Sequence, residues 1–333
     1  MTMRKVSLTG IKPTGDPHIG NYVGSIKPAL DLAKKFDARY FIADYHALNQ
    51  IKDPKLLKDY IYEIAAAWLA CGLNPDEVLF YRQSDVPETF DLATILMAST
   101  PKGLLNRAHA YKAMIQTNQA EGKDQDIGVN MGLYTYPVLM SADILLFDTN
   151  FVPVGKDQFQ HIEMAADIAQ ALNYAYKDDV LVIPEPYSTP STQTVIGLDG
   201  RKMSKSYNNT IPMFLPEKKL RKRIMKIVTN SQVIEEPKDP ETCSVFTLYK
   251  LFASEEQIEA LKQRYLAGGM GWGDAKQELF LVLNEHLSPY REKYDVLIQD
   301  RPYIDKLLKE GSEKARTIAG ETIRRVRKAI GIG

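Results

Sequence analysis

A chain of 333 residues that is 44% hydrophobic and 25% charged carries enough apolar surface to bury a core in two lobes, which excludes a disordered protein. Its 42 Lys and Arg balance 42 Asp and Glu, so any nucleic-acid contact must come from local clusters and not from a generally basic surface. Cys71 and Cys243 make neither a metal nor a redox spacing, the amino end has no apolar leader, and no stretch reaches the roughly 18 apolar residues of a membrane span; together these predict a cytoplasmic protein with free thiols.

In chain order, β-branched and aromatic runs alternate with helical periodicity. The strand "VSLTGI" precedes a helix over 22–36, "RYFIADYHAL" one over 54–71, "EVLFYRQ" one over 89–99 and "NFVPVG" one over 157–173, with "VLVIP" as the last strand. Such alternation predicts parallel strands joined by crossover helices, an α/β fold with a doubly wound parallel sheet that binds ligands at the carboxyl ends of its strands. The stretch 100–133 interrupts the rhythm, and its polar, glycine-dotted second half predicts a mobile insertion. Beyond about residue 207 strand signals stop, and helices over 216–228, 254–265, 274–297 and 312–329 predict a C-terminal α-helical domain. The predicted organisation is a sheet domain over 1–190, a mobile loop over 191–206 and a helical domain over 207–333.

Directly behind the first strand stands "KPTGDPHIGN", residues 12–21. Asp16 can cap a helix starting near Pro17, leaving His18, Gly20 and Asn21 in or just beyond its first turn, where free N–H groups attract anions. Gly15 and Gly20 remove side chains where a nucleotide could come close, and His18 and Asn21 offer donors for phosphate oxygens. The same residues also suit an ordinary strand-to-helix turn, and the spacing is neither that of the P-loop nor of the dinucleotide fingerprint. A second stretch, "DGRKMSKSYNN" (199–209), carries Lys202 and Lys205 with Met203, Ser204 and Ser206 in a loop opened by Asp199 and Gly200. Ammonium groups on flexible stems can follow a moving polyphosphate, and a closing loop delivers them where charge develops; the bland alternative is a solvated run of charge.

Taken together, "HIGN" (18–21) and "KMSKS" (202–206) resemble the two nucleotide signatures of the class I aminoacyl-tRNA synthetases. Asn21 departs from the His of the first pattern, although an amide is also a donor. The resemblance implies activation of an amino acid by attack of its carboxylate on the α-phosphate of ATP, with Mg²⁺ carried by the nucleotide, followed by esterification of tRNA. His18, Asn21, Lys202 and Lys205 would stabilise charge in an in-line displacement that needs positioning more than covalent help.

A third stretch, "GLYTYPVLMSADILLF" (132–147), bears on the amino acid. Pro137 suits a first helical position, and from Tyr136 the spacing puts Met140, Asp143 and Phe147 on one face, so one carboxylate sits in an apolar stripe and needs a partner. That partner could be a neighbouring backbone group or Arg, or an indole N–H, a single donor that a carboxylate matches. The stretch and "VPVGKDQFQH" (152–161) are similar to patterns of the tryptophanyl branch. By that resemblance Asp143 reads the indole nitrogen; Met140, Val154, His46 and Gly10 line the pocket; Gln158 and Tyr136 hold the ammonium or carboxylate. Lys12, Pro13, Thr14, Gly20, Gly155, Lys156, Asp157 and Val195 join the signature residues against ATP, with Lys12 and Lys156 standing where relatives carry other residues.

From the residues alone, Asp157 caps a helix with Gln160 three positions on, and His161 faces away from its amino end in a structural hydrogen bond. His109 and His286 read as surface or core histidines. The partners implied are L-tryptophan, ATP, tRNA(Trp) and a second copy in a homodimer through the 80–140 region. For tRNA, "PEKKLRKRIMK" (216–226) and the chain-end residues Arg324, Arg325, Arg327 and Lys328 supply basic patches. The alternatives are a tyrosyl enzyme, a synthetase-like paralogue without tRNA charging, or a nucleotidylyltransferase of the same superfold.

Overall fold

The computed structural model describes residues 4–155, 158–188 and 195–333. The sheet side runs β1 (Val6–Ile11), α1 (Ile19–Asn21), a π-helical turn over Tyr22–Ile26, α2 (Lys27–Ala33), β2 (Asp37–Ile42), α3 (Asp44–Ala47), α4 (Pro54–Ala70), β3 (Leu79–Arg82), α5 (Glu88–Ser99), α6 (Lys102–Asn106), α7 (His109–Ala120), α8 (Met131–Leu145), β4 (Phe151–Pro153), α9 (Phe159–Tyr176) and β5 (Glu185–Tyr187). The helical side is α10 (Glu217–Ile224), α11 (Ser244–Tyr249), α12 (Glu255–Ala267), α13 (Trp272–Leu297) and α14 (Arg301–Ile330). All strand pairs are parallel in the order β3-β2-β1-β4-β5. Ser7, Leu8 and Thr9 are buried because a central parallel strand is covered on both faces.

Several elements depart from the periodicity. The stretch 100–133 is largely helical, since α6, α7 and the start of α8 occupy it. Pro137 lies inside α8, because Asn130 caps that helix earlier by accepting the Leu133 N–H at 2.9 Å. The run "VLVIP" is not a strand: Val180 and Leu181 are buried as packing residues, and the Asn173 side chain takes both the N–H and the C=O of Leu181. Pairing resumes only at Glu185.

The last helix begins at Arg301, well before residue 312, with Asp300 as its cap and Pro302 in its first turn. Gly311 does not break it. A Cβ there would lie 1.7 Å from the Phe80 carbonyl oxygen, so the glycine lets α14 lie against β3. Ala315, Ala319, Ile323 and Val326 of α14 then share a core with Leu92 and Leu96 of α5 and Leu8 of β1. Arg327 pairs with Asp91, and Arg325 with Asp148 and the Val180 carbonyl, so two of the chain-end basic residues are spent on docking the helix to the sheet side. Among the described residues no helix is long and apolar enough to cross a membrane.

Candidate functional site

The strand order reverses direction between β1 and β4, and a doubly wound sheet opens a crevice at that point, beyond the carboxyl ends of its strands. A cleft of about 410 Å³ lies there. Gly10 and Lys12 reach it from the end of β1, Val154 and Gly155 from the end of β4, His46 from α3, and Tyr136, Met140 and Asp143 from one face of α8. His46 therefore sits on a short helix after the second strand and not in the strand itself. Phe147 falls past the end of α8 and is buried in the core.

Asp143 is 2% exposed, and burial pushes its carboxyl up, opposed by hydrogen bonds from His46 and Gln83. His46 Nε2–H donates to Oδ2 at 2.9 Å, and the Gln83 amide donates to both oxygens at 2.9 Å. No Arg is the partner; an imidazole and an amide hold the acid, and a carboxylate with about four lone-pair sites keeps room for one more donor. Gly10 is required by packing: a Cβ there would come 2.4 Å from Cζ of Phe41, which also lines the cleft.

Across the cleft Tyr136 Oη meets His161 Nε2 at 2.8 Å, and His161 Nδ1 meets Gln158 Oε1 at 2.7 Å. His161 thus makes the hydrogen bonds expected of it, linking the two polar residues expected at the ammonium or carboxylate, and it also lines the cleft. Helix α9 opens at Phe159 with Gln158 in the cap position and no side-chain cap bond; Lys156 and Asp157, expected at the ribose and as the cap, lie outside the described residues. Gln160 donates to the Arg107 carbonyl at 3.3 Å.

The stretch 12–21 caps its helix with His18, not Asp16. His18 Nδ1 accepts the Asn21 N–H at 3.3 Å and Asn21 Oδ1 accepts the His18 N–H at 3.1 Å, a reciprocal box that starts α1 at Ile19. The Ile19 N–H donates to the Ile211 carbonyl at 3.0 Å, so this helix end is not an open anion cradle. What His18 and Asn21 have left are Nε2–H and the amide N–H groups. Burial, then the charge of Lys205, lowers His18 to about 4, which keeps the ring neutral, as its Nδ1 acceptor role requires.

The segment 211–213 stitches the loop from 195 to 210 to this stretch, through Ile19 and through the Met213 N–H to the Pro17 carbonyl at 3.0 Å. Lys205 Nζ donates to the Thr14 carbonyl at 3.0 Å, and its ammonium is lowered by desolvation and supported by Asp16 and Glu63. Gly20 is needed here too, since a Cβ would sit 2.9 Å from His18 Nδ1 and 3.4 Å from Met203 Sδ. Met203 is buried, with its N–H on the Val195 carbonyl, and the Ser204 N–H is held by Asn209. Ser204 and Ser206 share a hydrogen bond at 2.8 Å. Lys202 is exposed on the same loop, Pro13 is buried, and Lys12 has its ammonium lowered by desolvation at the mouth of the cleft.

Two lysine-bearing segments about 190 residues apart in sequence thus meet at Thr14, two residues beyond Lys12, which lines the same cleft as the buried Asp143. The family described as tRNA synthetases class I (W and Y) matches residues 3–288. The chain belongs to this family of class I synthetases. It is 50% identical over 329 residues to the tryptophan–tRNA ligase of Bordetella parapertussis, covering 98% of this chain and 73% of that one. The ligase of Neisseria meningitidis is 46% identical, with 99% and 98% covered. Among solved structures, tryptophanyl-tRNA synthetase from Campylobacter jejuni complexed with ADP and tryptophan superposes with a TM-score of 0.90 at 44% identity over 98% of this chain and 99% of that one.

In this class I synthetase the residue that sequence reasoning missed at the site is Gln83. It lies 60 positions from Asp143, and nothing local marks it. Phe41 and Ser25 also line the cleft; the first is hidden inside a strand run and the second inside a helix. His161 could have been found, because one helical turn from Gln158 places the two side chains together.

Proposed function

We propose that the chain is a tryptophan–tRNA ligase. It activates L-tryptophan with ATP to tryptophanyl-adenylate and pyrophosphate, then transfers the tryptophanyl group to tRNA(Trp). The observation that carries this reading is the cleft at the β1/β4 reversal, lined by one buried acid and by Lys12, with Lys205 Nζ bonded to the Thr14 carbonyl two residues beyond Lys12. It is supported by the tryptophan–tRNA ligases to which the whole chain is similar.

In the first step a carboxylate oxygen of tryptophan bonds to the α-phosphorus as the bond to pyrophosphate breaks. The indole N–H donates to Asp143, Met140 and Val154 bracket the ring, and Tyr136, Gln158 and His161 face the amino-acid end. His18 Nε2–H, the Asn21 amide, Lys12, Lys202 and Lys205 meet phosphate charge, Lys205 giving up the Thr14 carbonyl for a phosphate oxygen. In the second step a ribose hydroxyl of tRNA attacks the adenylate carbonyl and AMP leaves. Mg²⁺ would arrive on the triphosphate and offset charge on its phosphate oxygens.

For tRNA we assign the exposed Lys218, Lys219, Arg221, Lys222 and Lys226 on and beside α10. Arg223 of that helix donates to the Thr210 and Asn208 carbonyls, so the patch is tied to the end of the lysine loop. The reading extends to a homodimer through the 80–140 region, where Phe90, Met97, Ile127 and Met131 are exposed. The protein would act in the cytoplasm. The test is ATP–pyrophosphate exchange with each amino acid in turn: tryptophan should drive it, and exchange driven by tyrosine or by none would end this reading.

A further inference from the structure

The side chain of Gln83 is wholly buried, directly after β3, and does not line the cleft. Its amide nitrogen lies 2.9 Å from both oxygens of Asp143, while its own carbonyl oxygen accepts the Tyr45 N–H at 3.1 Å. Only one orientation of the amide satisfies a carboxylate on one side and a backbone N–H on the other, so the amide cannot flip without losing both. The Tyr45 N–H and the Ser84 N–H also share Asp44 Oδ1, at 3.0 and 3.1 Å, which locks the turn after β2 to the turn after β3. The carboxylate on α8 is therefore aimed by two strand ends at once, through His46 from one and Gln83 from the other.

We propose that Gln83 is a positioning residue for side-chain selection: it fixes the rotation of the Asp143 carboxylate so that an unused lone pair meets the ligand's ring N–H. The inference rests on the reading that Asp143 takes an indole N–H. Two bonds fall on Oδ2 and one on Oδ1, so Oδ1 has the larger spare acceptor capacity. An acid free to rotate would spread that capacity over several directions and would discriminate less between a ligand with the N–H and one without it. Burial raises the Asp143 carboxyl and the Gln83 bond opposes this, so the same amide also favours the ionised acceptor.

The experiment compares amino-acid-driven ATP–pyrophosphate exchange for tryptophan and for 3-benzothienylalanine, which has the same bicyclic shape with sulfur in place of N–H. Gln83→Met keeps the side-chain length and removes the donor. The ratio of kcat/KM for tryptophan to that for the analogue should fall about tenfold, with the analogue's own value changed by less than about threefold. Equal losses for both ligands, or an unchanged ratio, would overturn the inference by reducing Gln83 to scaffold. If Gln83→Met does not fold, the ratio in Gln83→Asn decides, where the donor is withdrawn by one methylene; a ratio within about twofold of the unsubstituted protein overturns it. Asp143→Asn separates the two layers. A ratio lost there but kept in the Gln83 variants sinks the positioning role alone, and a ratio kept in all of them sinks the indole reading and this inference with it.

Discussion

Asp143, His46 and Gln83 are buried and joined by hydrogen bonds to the one carboxylate, whereas Lys12, Lys202, Lys205 and Ser206 are exposed. The first arrangement supplies its carboxylate with partners from within the protein, because a buried carboxylate without partners would be too costly to keep. The second holds its charge in reserve: Lys205 is parked on the Thr14 carbonyl beside Asp16 and Glu63. Under the proposed function, recognition falls to the rigid elements and charge stabilisation to the adaptable ones, which suits a reaction whose substrate has a fixed shape and whose charge moves.

The sharpest way to break this contrast is Lys205→Ala. Losing a cation that acts where charge develops should lower kcat for exchange by about 10²–10³ while tryptophan affinity stays within about twofold. Pre-steady-state kinetics with equilibrium tryptophan binding separates the two, and equal losses would place Lys205 in ground-state binding. Asp143→Ala should act the other way, weakening tryptophan by about 2–3 kcal/mol and leaving ATP affinity intact, as two buried donors lose their acceptor. Calorimetric titration with each ligand checks it. Gly10→Ala is the next in size: a Cβ at 2.4 Å from Phe41 must displace that ring, at about 1–3 kcal/mol of tryptophan affinity or stability, with ATP binding unchanged.

The smallest effect concerns pH. Glu63 has a buried Oε2 with no hydrogen-bond partner, and burial, with Asp16 and Asp59 nearby, raises it to about 7, against the pull of Lys205 and Arg301. A carboxyl raised in the folded state binds its proton more tightly there than when unfolded. Its contribution is fully present below the ordinary 4.5 and is lost as pH rises through about 7. Glu63→Gln should therefore stabilise the protein at pH 8 by on the order of 1 kcal/mol after solvent screening and make no difference at pH 4. Chemical denaturation at the two pH values measures it. His18 has the opposite sign: lowered to about 4, it adds stability above 6.5 that is lost as pH falls through that lower value.

Legibility followed the range of the interaction. The face carrying Tyr136, Met140 and Asp143 could be read because helical spacing is a property of one segment. Local competition misled the reading at 12–21, where Asp16 and His18 are both able to cap and only the bond from Asn21 N–H to His18 Nδ1 chooses between them. The last helix read from the sequence as 312–329 extends back to Arg301 through Gly311, whose reason for being glycine, the Phe80 carbonyl, belongs to a strand more than two hundred positions earlier. Arg325 and Arg327 read as part of a nucleic-acid patch because the acids they pair with, Asp148 and Asp91, lie 177 and 236 positions away in the chain.

The sequence by itself determined the alternation of strands and helices, the parallel sheet, the lysine loop and the residue types that phosphate and an aromatic ring require, since each is written in spacing over a few residues. Only the tertiary structure decided that residues 12–21 and 202–206 meet, that Gln83 and not a cation completes the buried acid, and that α14 returns to the sheet. Those outcomes depend on which distant groups can be brought into contact without stranding a buried polar atom, and that is settled by packing of the whole chain.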